Sequence, residues 1–195
     1  ETVQRAIPVW KGTKPWEAVP VQFSYHERDE RGAYQHTEWL TDGPDDPRRG
    51  LAEALVQATQ NAGNVAMYST YERTCVNHLI EAVPDLADEL TDLRDHLIDL
   101  KQVLKDHVAH PEFGGSFSIK DTLAPLSGDT TYAELTVADG ATAMVELSNL
   151  ILSGDSLSAS EADTKREDLL AYCAQDTWAM VELLEKLEEL ALGSE

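Results

Sequence analysis

Basic side chains are scarce in this sequence. Its 195 residues hold 15 lysines and arginines against 36 aspartates and glutamates, a formal net charge of −21. Broad electrostatic capture of a phosphate backbone needs a basic surface, so this balance argues against that mode of binding. A nuclease is not, because divalent cations supply local positive charge where phosphates meet carboxylates. Long apolar runs are missing too: no stretch of about eighteen uncharged apolar residues occurs, which argues against a helical membrane span. The opening has no basic-then-apolar pattern of the kind that directs secretion. Two cysteines, Cys75 and Cys173, are too few for a disulfide framework or a cysteine-based zinc site. Both fall in helical pattern beside apolar neighbours and read as small buried thiols in a reducing, cytoplasmic compartment. A glycine-rich phosphate loop, a nucleophile elbow, zinc-finger spacing, an internal repeat and a linker are likewise absent. His107 and His110 give His-x-x-His without a third ligand, so they are read as loop-packing or capping residues.

What is present suits one domain over residues 1–195. Apolar residues make up 42% of the chain, enough for a core. Because the sequence opens on Glu1 rather than methionine, it is read as an N-terminally truncated fragment of a longer protein. Residues 1–3 read as the tail of a strand, followed by a connector rich in Pro, Gly and Trp. The runs VQFSYHER and AYQHTEWL, joined by DERG, predict an antiparallel hairpin. Asp46 and Pro47 open a helix, as N-cap and first helical residue. NVAMYS predicts a short buried strand. From Tyr71 the spacing predicts helices, with one running through DLADELTDLRDHLIDLKQVLKDH after Pro84. Ser118 is a candidate cap, another helix is expected from about Asp139, and the last from roughly Lys165 to Leu190 after a polar connector. Strand, hairpin, helix, strand and helices together predict a mixed α/β sheet: an antiparallel hairpin plus a parallel crossover strand, flanked by helices.

Three acidic positions stand out. Tyr172 and Asp176 are four apart and share a helix face. Periodicity alone favours a tyrosine at the rim of the core and a solvated aspartate, since a Tyr-x-x-x-Asp match is common. Glu72 follows the predicted buried strand, where a glutamate also favours the helix dipole. Glu1 lies at the presumed first strand.

Together these residues resemble the motifs of the DnaQ-like (DEDD, tyrosine-type) 3′–5′ exonuclease superfamily, which has the ribonuclease H-like fold. YCAQD, with Tyr172 and Asp176, is similar to its Tyr-x-x-x-Asp motif, and YSTYE, ending in Glu72, is similar to its middle motif. Glu1 matches the glutamate of an Asp-x-Glu first motif, so an aspartate is expected two positions upstream. SFSIKDTLAPL and IDLKQVL, with Asp99, resemble segments between the motifs. RAIPVWKGTKPWEAVPVQFSYH, HPEFGGSFSIKDTLAPL and LLAYCAQDTWAMVEL are similar to a bacterial family of unknown function whose exonuclease-like domain tends to follow a restriction-endonuclease-like nuclease module. Two departures are plain: Glu72 stands where the superfamily has aspartate, and Ser69 where it has asparagine.

The resemblance implies a metal-dependent exonuclease releasing nucleotides from a single-stranded 3′ end. It implies Glu1, Glu72 and Asp176 as ligands of Mg²⁺ or Mn²⁺, with Tyr172 orienting the attacking water. Two such ions about 4 Å apart activate water and stabilise the leaving oxygen, and hard carboxylate oxygens suit them. The departures imply an alternative: an inactive domain of the same fold that serves as a protein-interaction or regulatory module beside a partner nuclease.

Overall fold

Local chemistry closes the hairpin. Strands β3 (Gln22–Arg28) and β4 (Tyr34–Leu40) pair antiparallel, from Gln22 opposite Leu40 to Arg28 opposite Tyr34. Between them Asp29 Oδ1 accepts from the backbone N–H groups of Arg31 and Ala33, both at 2.8 Å. Gly32 takes φ of +83°, a conformation that side chains with a Cβ resist. This computed structural model describes residues 1–127, 139–153 and 157–193. Ahead of the hairpin, β1 (Thr2–Val3) pairs antiparallel with β2 (Val19–Pro20). Only Val21 separates β2 from β3. The Glu1 carbonyl accepts from Val21 N at 3.0 Å and Gln22 N at 3.3 Å, so β1 also runs beside the start of β3.

The predicted strand in NVAMYS is β5 (Val65–Met67). Its partner is β6 (Leu97–Asp99), parallel to it, with Val65 opposite Leu97 and Met67 opposite Asp99. The architecture is therefore mixed α/β, with antiparallel pairs, a parallel pair and seven α-helices among the described residues. None of those helices is long and apolar enough to cross a membrane.

The helices are α1 (Arg48–Thr59), α2 (Tyr71–Ala82), α3 (Ala87–Asp95), α4 (Leu100–His107), α5 (Ile119–Ser127), α6 (Gly140–Leu152) and α7 (Ala159–Leu192). Several caps are as expected. Ser118 Oγ accepts from Asp121 N at 3.2 Å; the helix expected from about Asp139 starts at Gly140, and Asp139 caps it by accepting from Thr142 N at 2.9 Å. His110 Nδ1 accepts from Glu112 N, a capping role. Three expectations need correction. The predicted helix after Pro84 is broken: a 3₁₀ turn, α3, β6 and α4 share its length. Leucine spacing through that stretch satisfies a helix, but three residues suffice for a parallel pair, and so short a strand leaves no period-2 signal. Asp46 stays outside α1, which starts at Arg48. Its Oδ1 accepts from Arg48 N at 3.2 Å, while Pro47 occupies the cap position. The last helix begins at Ala159, not Lys165. Ser158 and Glu161 form a reciprocal capping box that fixes the start inside the supposed connector.

Three apolar clusters form the core. Val3, Trp10, Val21 and Leu40 meet Leu147, Leu169 and Tyr172 in the first. Met67, Leu79, Leu90 and Leu97 hold the parallel pair in the second. Leu104 and Leu123 meet Ala179 and Leu183 in the third. Fully burying one leucine of this kind contributes about 1.5–3 kcal/mol.

The connector from β1 to β2 is also fixed. Trp10 is buried, and its indole N–H donates to Pro44 O at 2.9 Å. Arg48 donates to Lys11 O at 2.7 Å, and Trp16 N to Arg5 O at 2.8 Å. Lys14 to Glu17 form a turn of the type II pattern, with Glu17 N donating to Lys14 O at 3.1 Å. Trp16 sits where that turn wants glycine, at φ of +61°. The left-handed conformation costs a side chain with a Cβ about 1–2 kcal/mol.

Candidate active site

Glu72 lies in the first turn of α2, directly after β5. Its Oε1 accepts from Tyr68 N at 3.4 Å, whereas its Oε2 is buried with no hydrogen-bond partner. Burial holds this carboxyl above its ordinary range. Asp99 ends β6 alongside. Its Oδ1 accepts from Ser69 N at 3.1 Å and Gln102 N at 3.2 Å, joining the loop after β5 to the start of α4. Ser69 is held at φ of +86°. Asp99 is near enough to add to the upward shift at Glu72.

Glu1 is placed by backbone bonds. Its nitrogen donates to Gln22 O at 2.7 Å, and Gln22 Nε2 reaches across to Leu169 O on α7 at 2.9 Å. Thr2 Oγ1 and Tyr71 Oη, 2.5 Å apart, tie β1 to α2. Cys75, half-buried on α2, and Cys173, buried on α7, are free thiols. Burial pushes Cys75 up to about 11, and the nearby Glu72 and Glu1 carboxylates add to it. Burial likewise pushes Cys173 up to about 12, with Glu1, Asp176 and Glu38 adding. The Glu72 and Glu1 carboxylates are thus both near enough to act on Cys75, and those of Glu1 and Asp176 on Cys173. Glu1 is the shared member between α2 and α7.

Asp176 is half-buried on α7. Tyr172, one turn earlier, is 3% exposed and packs in the first core cluster, deeper than a rim position. A Cβ built on Gly140 would lie 3.9 Å from its hydroxyl, so the ring points its oxygen toward the start of α6. Hollows of about 370 Å³ beside Leu126 and Lys186, and about 570 Å³ beside Phe113 and Lys120, are not lined by any of these carboxylates.

A model of a family described as a domain of unknown function, DUF2779, matches residues 1–118. The chain belongs to this family. No curated protein and no solved structure matches the chain. The DUF2779 span covers Glu1, Glu72 and Asp99 and stops before α5, so Tyr172 and Asp176 lie beyond it. The expected membership of a family of unknown function is thus met, while the exonuclease likeness rests on the residues themselves.

The carboxylates here are hard oxygen donors, the kind Mg²⁺ and Mn²⁺ take, and Glu72 Oε2 is an acceptor without a donor. They fall short in number: among the described residues no three His, Cys, Asp or Glu side chains form a group that could hold a metal ion. Sequence reasoning quoted Asp99 only as part of a resembling segment. Its position three residues before Gln102, at the start of a helix, is an N-cap signal that marks it. Nothing in the sequence signalled that Cys75 and Cys173 lie near these carboxylates.

Proposed function

We propose that this chain is a metal-dependent 3′–5′ exonuclease domain with a ribonuclease H-like fold, acting on single-stranded nucleic acid. The observation that carries the reading is that carboxylates from three distant parts of the chain come near the same two thiols, Glu72 and Glu1 near Cys75 and Glu1 and Asp176 near Cys173, with one buried Glu72 oxygen left unpaired. The pairing of β1 with β2, the adjoining hairpin and the parallel β5–β6 pair support the fold assignment. Mg²⁺ or Mn²⁺, when bound, supplies the charge that activates water and steadies the oxygens of a phosphodiester under attack.

The residues present offer an incomplete shell for such an ion. Where the chain extends upstream, the reading expects an aspartate two positions before Glu1. Within the chain, Asp99 fixes the loop that delivers Glu72, Gln22 fixes Glu1 against α7, and Tyr172 fixes the register of Asp176 through the core. The test uses end-labelled single strands with Mn²⁺, comparing the full-length protein with its Asp176→Ala variant. Loss of 3′ nucleotide release in the variant is expected; equal release in both refutes the reading.

A second reading keeps the fold without the chemistry, as a protein-interaction or regulatory module beside a partner nuclease. The shortfall of metal donors among the described residues favours it, as does glutamate in place of aspartate at position 72. Calorimetric titration separates the two: no uptake of Mn²⁺ by the full-length protein supports this second reading.

A further inference from the structure

We infer that the connector between β1 and β2 is a landing surface for single-stranded nucleic acid, with one base stacked on the Trp16 indole and phosphates met by Lys11 and Lys14. The choice of ligand rests on the nuclease reading above.

Charge comes first. The chain carries more than two acidic residues for each basic one, yet residues 4–16, QRAIPVWKGTKPW, hold Arg5, Lys11 and Lys14 and no acidic residue. Lys11 and Lys14 are exposed, and among the described residues neither forms an ion pair. The neighbouring carboxylates are already engaged: Asp46 by Arg48, and Glu17 by the backbone N–H of Lys14. Salt confines charge effects to about 8 Å at physiological strength, so the acidic surface farther off does not cancel this patch.

Exposure and conformation point the same way. Trp16 is 66% exposed and Ile7 80%, although the loop beneath them is pinned by Trp10, Arg48 and the Trp16–Arg5 backbone bond. Trp16 has no aromatic or cationic partner among the described residues. A large ring is therefore held outward at a turn position where glycine would be unstrained. Backbone outliers of this kind cluster where a ligand is gripped. An exposed indole beside unpaired ammonium groups is the pairing used to bind single strands without sequence preference. The connector leaves β1 at Gln4, three residues after Glu1.

The test measures fluorescence anisotropy of labelled oligothymidylate against the full-length protein, in EDTA and over a range of salt. Trp16→Gly is expected to weaken binding about ten-fold. Its melting temperature should not fall, since glycine suits that backbone, which excludes unfolding as the cause. Lys11→Glu with Lys14→Glu is expected to flatten the log–log salt dependence by about 1.4, at 0.7 per lost phosphate contact. Affinity unchanged in both variants, no binding at all, or displacement by polyglutamate as readily as by unlabelled oligothymidylate overturns the inference, the last in favour of an acidic protein partner. The two ideas fail separately. Binding that the variants abolish, with no hydrolysis in Mn²⁺, leaves the surface standing and sinks the nuclease reading. Hydrolysis with unaltered KM in both variants does the reverse.

Discussion

The hairpin β3–β4 and the parallel pair β5–β6 solve the same problem in opposite ways. The hairpin is local. Its seven-residue strands are closed by a short turn whose aspartate and glycine fix the register. The parallel pair joins residues about thirty positions apart through three residues on each side. Such a ladder is too short to support itself, and packing holds it: Met67, Leu79, Leu90 and Leu97 form one apolar cluster beside it. The Arg73 guanidinium donates to the carbonyls of Arg94 and Leu97, both at 2.9 Å. Yet it is this weaker-looking pair that delivers Glu72 and Asp99. The lesson is that the candidate site depends on tertiary packing rather than on strand length.

The sharpest way to break the contrast is Leu79→Ala. Leu79 is 1% exposed, and its truncation should cost about 2–5 kcal/mol in urea unfolding. Amide exchange should quicken most in β5 and β6 and less in the hairpin, of which only Phe23 and Trp39 rest on the Leu79 cluster; uniform loss across both would show that the two regions share one support. Glu72→Gln probes the same side by pH. Burial raises the folded pKa of Glu72 above its ordinary 4.5. Stability from this group is therefore full below about 4.5 and is lost as pH climbs through the raised folded value. The glutamine variant should match the parent under acid and exceed it at neutral pH, as read from urea midpoints; a gap that closes with rising pH would reverse the assignment. The smallest change belongs to the hairpin. Arg28 bonds Glu188 on α7 at 2.9 and 3.0 Å, but both side chains are 43% exposed. Arg28→Ala should leave the urea midpoint within experimental scatter.

The same contrast explains what the sequence made legible. The hairpin, β5, α2 and the caps at Ser118 and Asp139 are written in neighbouring residues, so they could be read directly. Strand β6 could not, because a leucine pattern that satisfies a helix was divided by pairing with a distant partner. The Ser158–Glu161 box was visible, but the polarity around it read as a connector. At the site, Glu72, Asp176 and Glu1 were each open to a bland reading. Only folding brings Glu72 and Glu1 near Cys75, and Glu1 and Asp176 near Cys173, and it buries the Tyr172 ring in the core.

Helix α7 runs 34 residues, about 51 Å, and contributes Leu169 and Tyr172 to one apolar cluster and Ala179 and Leu183 to another. Asp176 falls between these two anchor points. Neither cluster can melt without loosening the rod that the other grips, so this helix behaves as a shared axle, with its carboxylate mounted at the bearing where distortion from either end is least.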